Sequence, residues 1–256
     1  TDSVFIQMKD YKEGYVAKEK VNKIMLDYVK KFGINETVID MNYEKYFKWI
    51  MFNQKPSKKL KSKIRRTHTE AAKKKYIGYI SHIEGKDGMM TETNELYYKG
   101  FELRRSDASK ALKRIMKRFF ELMETGEYEN SVKYLREVRK EFHTYPLDDI
   151  AMPRSVNNED AKGPYPRGVK YAKEVLKFEF IDDELPKLVY VKPCYSMPKT
   201  DVICYQDHHK LPEVFEIDYD KMFEKLIKDK FEPILEALGM FWDTQINDQS
   251  TLEAWC

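Results

Sequence analysis

The sequence predicts an α+β fold: an antiparallel sheet with one helix over residues 1–105, then a mostly helical region over 106–256. Three observations point there. Alternating apolar residues and aromatic-rich runs fill the first part, apolar residues at three- and four-residue spacing dominate the second, and the composition suits a packed core. The chain has 256 residues, enough for one large or two small domains. Hydrophobic residues reach 42% and aromatics 14%, which excludes disorder for the chain as a whole. No run of about 18 apolar residues exists, which excludes a membrane-spanning helix. Ten glycines and three cysteines exclude collagen-like and disulfide-scaffold classes. Cys194, Cys204 and Cys256 are odd in number and match no zinc spacing, so free thiols in a reducing, cytoplasmic compartment are expected. Residues 1–10 carry Asp2, Gln7, Lys9 and Asp10 and do not read as a signal peptide.

Each element follows in order. Asp2–Lys9 alternates, with Val4, Ile6 and Met8 on one face, and predicts a strand. Ala17, Val21, Ile24, Tyr28 and Phe32 predict a helix over 15–32, stopped by Gly33. Asn42–Phe52 predicts a strand; Tyr43, Phe47, Trp49 and Met51 alternate along it as sheet packing. The basic stretch 53–72 predicts an exposed loop. Lys75–Ile83 and Glu95–Arg105 predict two more strands, separated by the turn-forming residues 85–88. Ser106 or Asp107 is expected to cap a helix reaching Glu124, with a second helix over 127–142. Eight of the ten prolines fall in 144–216, which predicts an irregular stretch. A last helix is expected over 218–238, with Pro233 inside it as a kink or break. His208 and His209 are expected as surface histidines pointing to opposite sides.

Net charge is only +3, but it is unevenly placed. Between Lys55 and Lys75 ten basic residues face one acid, Glu70, and between Arg104 and Arg118 seven face Asp107. Two such blocks, with Tyr76 and Tyr79 beside the first, point to binding of a nucleic-acid phosphate backbone. A solubilising loop and a solvated helix face are the alternative.

Several segments carry a family resemblance. Thr1-Asp2-Ser3 resembles the end of a Tyr-Gly-Asp-Thr-Asp-Ser motif, and Lys73-Lys74-Lys75-Tyr76 a Lys-Lys-x-Tyr motif. Lys99-Gly100-Phe101-Glu102 with Arg104-Arg105 and Asp107 resembles the entry to a polymerase thumb, and 166–171 and 187–191 resemble later thumb segments. In this order they resemble the family B DNA polymerases, closest to those of T-even-type phages. The resemblance implies the C-terminal half of a palm over 1–105 and a thumb over 106–256. It also implies a DNA-directed DNA polymerase working in replication on dNTPs and primer–template DNA, in host cytoplasm if viral.

Two-metal nucleotidyl transfer needs carboxylates holding two divalent cations about 3.5–4 Å apart. Asp2 matches one such carboxylate, so the resemblance implies that it ligates Mg2+ and is catalytic. The other carboxylates lie upstream in the family, so two Mg2+ ions would be shared with an N-terminal chain ending near Tyr-Gly-Asp. Activity is then expected only with that partner. Lys73, Lys74, Lys75 and Tyr76 match primer–template contacts, and Arg104, Arg105, Arg167 and Lys170 are further DNA-binding candidates. Gln249, Leu252 and Trp255 resemble a sliding-clamp-binding tail over 249–256, with Cys256 where a second aromatic is usual; a frayed terminus is the alternative. The start at Thr1 fits a split gene, intein cleavage or a cloning boundary; a break before a Thr, whose hydroxyl splicing needs, favours the intein. The alternative function is a non-catalytic nucleic-acid-binding module.

Overall fold

A computed structural model describes residues 3–35, 40–55, 70–124, 128–155 and 161–246. The chain forms two compact units: Thr1–Met51 with Tyr76–Tyr98, and Phe52–Lys75 with Lys99–Cys256. The divisions fall at 51/52, 75/76 and 98/99, whereas the composition change in the sequence lies near 105. Helices and, among the described residues, two three-stranded sheets make the chain α+β. Among the described residues no helix is long and apolar enough to cross a membrane.

Helix α1 (Glu13–Lys30) starts where Asp10 Oδ1 accepts from the amides of Lys12 (2.7 Å) and Glu13 (3.3 Å), two donors with no carbonyl in their own helix. It ends where Gly33, at φ 78°, adopts the left-handed conformation that a Cβ disfavours. Its early turns pack: Gly14 is buried against Tyr43, and Tyr15 Oη accepts from the Met90 amide at 2.7 Å. Its later apolar stripe does not, since Ile24, Tyr28 and Phe32 are all exposed. The strand expected over 2–9 does not form: the described residues 3–8 have no regular structure, and Val4, Phe5 and Ile6 stay exposed. Alternation supplies a strand's face but not its hydrogen bonds, which need a neighbouring strand.

The first sheet has the order β1–β2–β3, formed by Lys45–Lys55, Glu70–Glu84 and Met90–Lys99. Strands β1 and β2 therefore take up parts of the expected loop 53–72; residues 56–69 lie outside the described residues. The turn between β2 and β3 closes with the Gly85 amide on the Met89 carbonyl (2.8 Å). The alternating aromatics of β1 pack as expected: Phe47 meets Tyr97, and Trp49 meets Tyr79. The strand expected over 95–105 ends at Lys99, and Glu102–Arg104 forms a 3-10 turn in which Glu102 is buried. The strand stops before Gly100, whose φ of 76° lies in the left-handed region, and Phe101 beyond it is buried against Phe120.

Helix α2 (Lys110–Leu122) is capped by Ser109, not by Ser106 or Asp107: Ser109 Oγ accepts from the Leu112 amide at 3.2 Å. Asp107 is instead engaged by Arg105. Leu112, Ile115, Met116, Phe119 and Phe120 are buried, while Arg114, Lys117 and Arg118 project outward, so one helix carries both core and charge. It packs on α3 (Tyr128–Glu141), where Ser131 Oγ donates to the Phe119 carbonyl at 3.2 Å.

The region 144–216 is more ordered than its prolines suggest. It holds α4 (Leu147–Ile150), α5 (Pro164–Glu174) and an antiparallel sheet of β4 (Met152–Pro153), β5 (Lys187–Tyr190) and β6 (Val202–Tyr205). Leu188 pairs with Cys204 and Val189 with Ile203. Proline is accepted here because Pro164 opens α5 and Pro153 sits in the edge strand β4. Strand β6 packs on α5 at Gly168, where a Cβ would lie 2.7 Å from Cys204 Sγ.

The last expected helix forms as one uninterrupted helical run over 219–237, with a π-turn inside it. Asp218 caps α6 (Tyr219–Phe223), the π-turn Glu224–Lys228 follows, and α7 (Asp229–Ala237) continues to the short α8 (Trp242–Ile246). Pro233 lies within α7 and crowds the carbonyl four residues back, that of Asp229. The irregularity therefore falls upstream of the proline, at the π-turn, and the helix continues through Pro233. Around it Phe119 meets Phe231, and Phe142 meets Phe223.

Candidate nucleic-acid interface

Asp2, Gln249, Leu252 and Trp255 lie outside the described residues. Lys73 and Lys74 lie on the backbone of β2, with side chains outside the described part. The remaining candidates are placed, in two separate settings.

In the first unit, Tyr76 stacks on Tyr97 (5.9 Å, 24°) and meets Phe5 edge-on (5.1 Å). Burial, reinforced by a hydrogen bond with Tyr97, pushes its hydroxyl pKa up to about 12. The phenol therefore keeps its proton at neutral pH, the state needed to donate to a phosphate.

In the second unit, Lys75 occupies a defined seat. Its Nζ lies 3.5 Å from Glu102 Oε2 and 4.8 Å from the centre of the Phe101 ring. Lys230 reaches the other oxygen of Glu102, also at 3.5 Å. Two cations thus compensate one buried carboxylate, and Lys75 serves as an anchor between the basic motif and the helical region. Arg104 is exposed. Arg105 grips Asp107 through Nε (2.7 Å) and Nη2 (2.5 Å), and this bond holds the Asp107 carboxyl below the usual carboxylate range. Arg167 pairs with Asp201 at 3.1 Å, and Lys170 with Glu174 at 3.8 Å. On α2, Arg114 pairs with Asp149 (3.0 Å), and Lys117 and Arg118 share Glu121.

These pairs do not exhaust the donors. An Arg held through Nε and one terminal nitrogen keeps the other, and a Lys ammonium has three hydrogens. Most of the pairs are exposed, where an ion pair is worth at most about 1 kcal/mol and yields readily to a phosphate. The acids fix the direction of the cations more than they cancel them.

Four cations from three separate parts of the sequence meet in one cleft of about 230 Å3 in the second unit. Arg105, Arg154, Lys225 and Lys230 line it, against Glu102 and Asp107. Arg154 lies over the ring of Tyr165 at 5.4 Å. Lys225 is held by Glu224 and Asp229 at 2.8 and 3.2 Å, and Glu224 is pulled down to about 2 by its bonds from Lys221 and Lys225. The sequence reading missed Arg154, Lys225 and Lys230. None sits in a basic run with Arg105, and only the fold brings them together.

Among the described residues no group of three or more His, Cys, Asp or Glu is placed to hold a metal ion. The Mg2+ expectation rests on Asp2 and a partner carboxylate, neither of which is among these residues. Among known proteins, no family model matches the chain, and no curated protein matches it.

Proposed function

We propose that this chain is the C-terminal palm-and-thumb part of a DNA-directed DNA polymerase, active only with an N-terminal partner that supplies the missing carboxylate. The observation that carries the reading is the order of the sequence motifs, from Thr1-Asp2-Ser3 through Lys73-Lys74-Lys75-Tyr76 to the Lys99–Asp107 segment. The placement of the cations supports a nucleic-acid partner: a basic helix face and a four-cation cleft lie in the second unit. The open apolar side of α1 supports a protein partner for the first unit. In this reading Asp2 and the partner's carboxylate hold Mg2+, which would activate the primer hydroxyl and steady the triphosphate. Lys74 and Tyr76 would hold the primer–template without reading its sequence. Gln249, Leu252 and Trp255 would reach a sliding clamp.

A second reading is a non-catalytic nucleic-acid-binding module. The cleft favours it, because its cations act without Asp2.

Primer extension with Mg2+ separates the two. Extension is expected only when the chain is mixed with a partner ending in Tyr-Gly-Asp, and it should vanish with Asp2→Ala while duplex binding persists. A complex that forms but extends nothing sinks the polymerase reading in its two-chain form. Duplex binding that survives there, and weakens several-fold with Arg154→Gln, would leave the binding module.

A further inference from the structure

The turn after β6 and the connection between α5 and β5 are tied together through two histidines. His208 and His209 do not diverge as adjacent strand residues would, because residues 207 and 208 form a turn, closed by the His209 amide on the Gln206 carbonyl (2.9 Å). Both rings therefore reach the same acceptor. Nε2 of His208 lies 3.1 Å and Nε2 of His209 lies 2.9 Å from the carbonyl oxygen of Glu179. The His209 ring stacks flat on Phe178 (4.2 Å, 4°) and meets Phe180 at 5.3 Å. Beneath it the fully buried Gln206 side chain accepts from the Ile181 amide (2.8 Å) and donates to the carbonyls of Ile181 and Glu184 (2.7 and 2.5 Å).

One further bond fixes the proton. The backbone amide of Gln206 donates to His209 Nδ1 at 3.0 Å, so Nδ1 must be the bare nitrogen and Nε2 the one that donates to Glu179. A second proton can enter only at Nδ1, where it would face the Gln206 N–H. Protonation therefore exchanges a hydrogen bond for a donor–donor clash.

We propose that the Gln206–His209 turn and the Phe178–Glu184 segment form a proton-operated clasp, closed while His209 is neutral and released when it is protonated.

The surrounding groups set its direction. From the same turn, His208 opposes a charge on His209; Asp207 is held by Lys187 of β5. From the clasped segment, the Glu184 carboxylate and the Glu179 carbonyl favour protonation, but Glu184 is also taken up by the Asp207 amide (2.7 Å). From α5, Lys173 lies over Phe180 at 6.0 Å and adds positive charge nearby. Burial comes first and His208 second in lowering the His209 pKa below its ordinary value. An unfolded His titrates near about 6.5. A His with a lowered folded pKa contributes stability that is fully present above the unfolded value and is lost as pH falls from there through the lower folded one. The clasp is thus closed at pH 7.5 and loses stability progressively as pH falls below about 6.5.

Hydrogen exchange of the full chain at pH 7.5 and 5.5, corrected for the intrinsic rate, tests this. Amides over 178–185 should lose protection about tenfold more than those of α5 on acidification. His209→Gln, which can still donate to Glu179 without gaining charge, should remove that pH dependence, and His208→Gln should keep it. Equal protection at both pH values, or a loss that survives in His209→Gln, overturns the clasp. Should His209→Gln fail to fold, nitrogen NMR of the histidines in the unaltered chain decides. The Nε2–H tautomer at pH 7.5 with a pKa below 6.5 supports the clasp; the Nδ1–H tautomer or a raised pKa refutes it.

Discussion

The two units spend their hydrophobic residues differently. In the second, Phe101, Phe119, Phe120, Phe142 and Phe231 are all at most 2% exposed; Phe101, Phe120, Phe119 and Phe231 follow one another edge-to-face, and Phe142 meets Phe223 edge-to-face. In the first, the buried hydrophobics among the described residues are Met51, Ile77, Tyr79 and Ile80, while Val4, Ile6, Val16, Ile24, Tyr28 and Phe32 face outward. Full burial of a large apolar side chain stabilises by about 1.5–3 kcal/mol, and the exposed ones give up most of that. Amphipathic patterning therefore fixes where an apolar stripe lies on a helix; what covers the stripe is decided elsewhere. The second unit encloses its own core, and the α1 stripe of the first stays exposed.

This contrast can be broken by mutation. Phe119→Ala should cost about 3–5 kcal/mol in urea unfolding, through lost burial and a cavity beside Phe120 and Phe231. Gly168→Ala should cost about 1–3 kcal/mol, because its methyl meets Cys204 Sγ and the Cys204 backbone amide; a loss under 0.5 kcal/mol would mean that α5 and β6 can separate freely. Ser109→Ala should cost about 1 kcal/mol by stripping the cap from α2. Ile24→Ser and Phe32→Ser in the first unit should change stability by no more than about 0.5 kcal/mol while lowering binding of a hydrophobic dye. A loss above 2 kcal/mol there would mean that the stripe is covered in the protein in solution.

Legibility followed the same divide between local and long-range causes. The helices α1, α2 and α3 were readable because each holds a regular stripe over several turns. The second sheet was not: Leu188-Val189-Tyr190 and Val202-Ile203-Cys204 are short, uniformly buried runs without alternation, set among prolines. The cap of α2 was misplaced because Ser106, Asp107 and Ser109 are all residue types that cap helices, and only the fold shows that Asp107 pairs with Arg105 while Ser109 receives the Leu112 amide. Of the candidate interface, the basic runs were plain, but Lys75 reads as a phosphate contact until its partners Glu102 and Phe101, 27 and 26 residues on, are in place. Arg154, Lys225 and Lys230 carry no local signal.

The π-turn at Glu224–Lys228 has a consequence for how the gene can vary in length. Its hydrogen bonds span five residues where an α-helix spans four, so the segment holds one residue beyond what a continuous helix requires. Removing one residue there would restore ordinary spacing and leave Met222 and Phe223 on one side, and Phe231, Ile234 and Leu235 on the other, facing the interior as before. A deletion within α2 would instead rotate every later side chain of that helix by about 100°, a full step of the 3.6-residue turn. The last helical stretch thus carries a built-in tolerance for a one-codon deletion that α2 lacks.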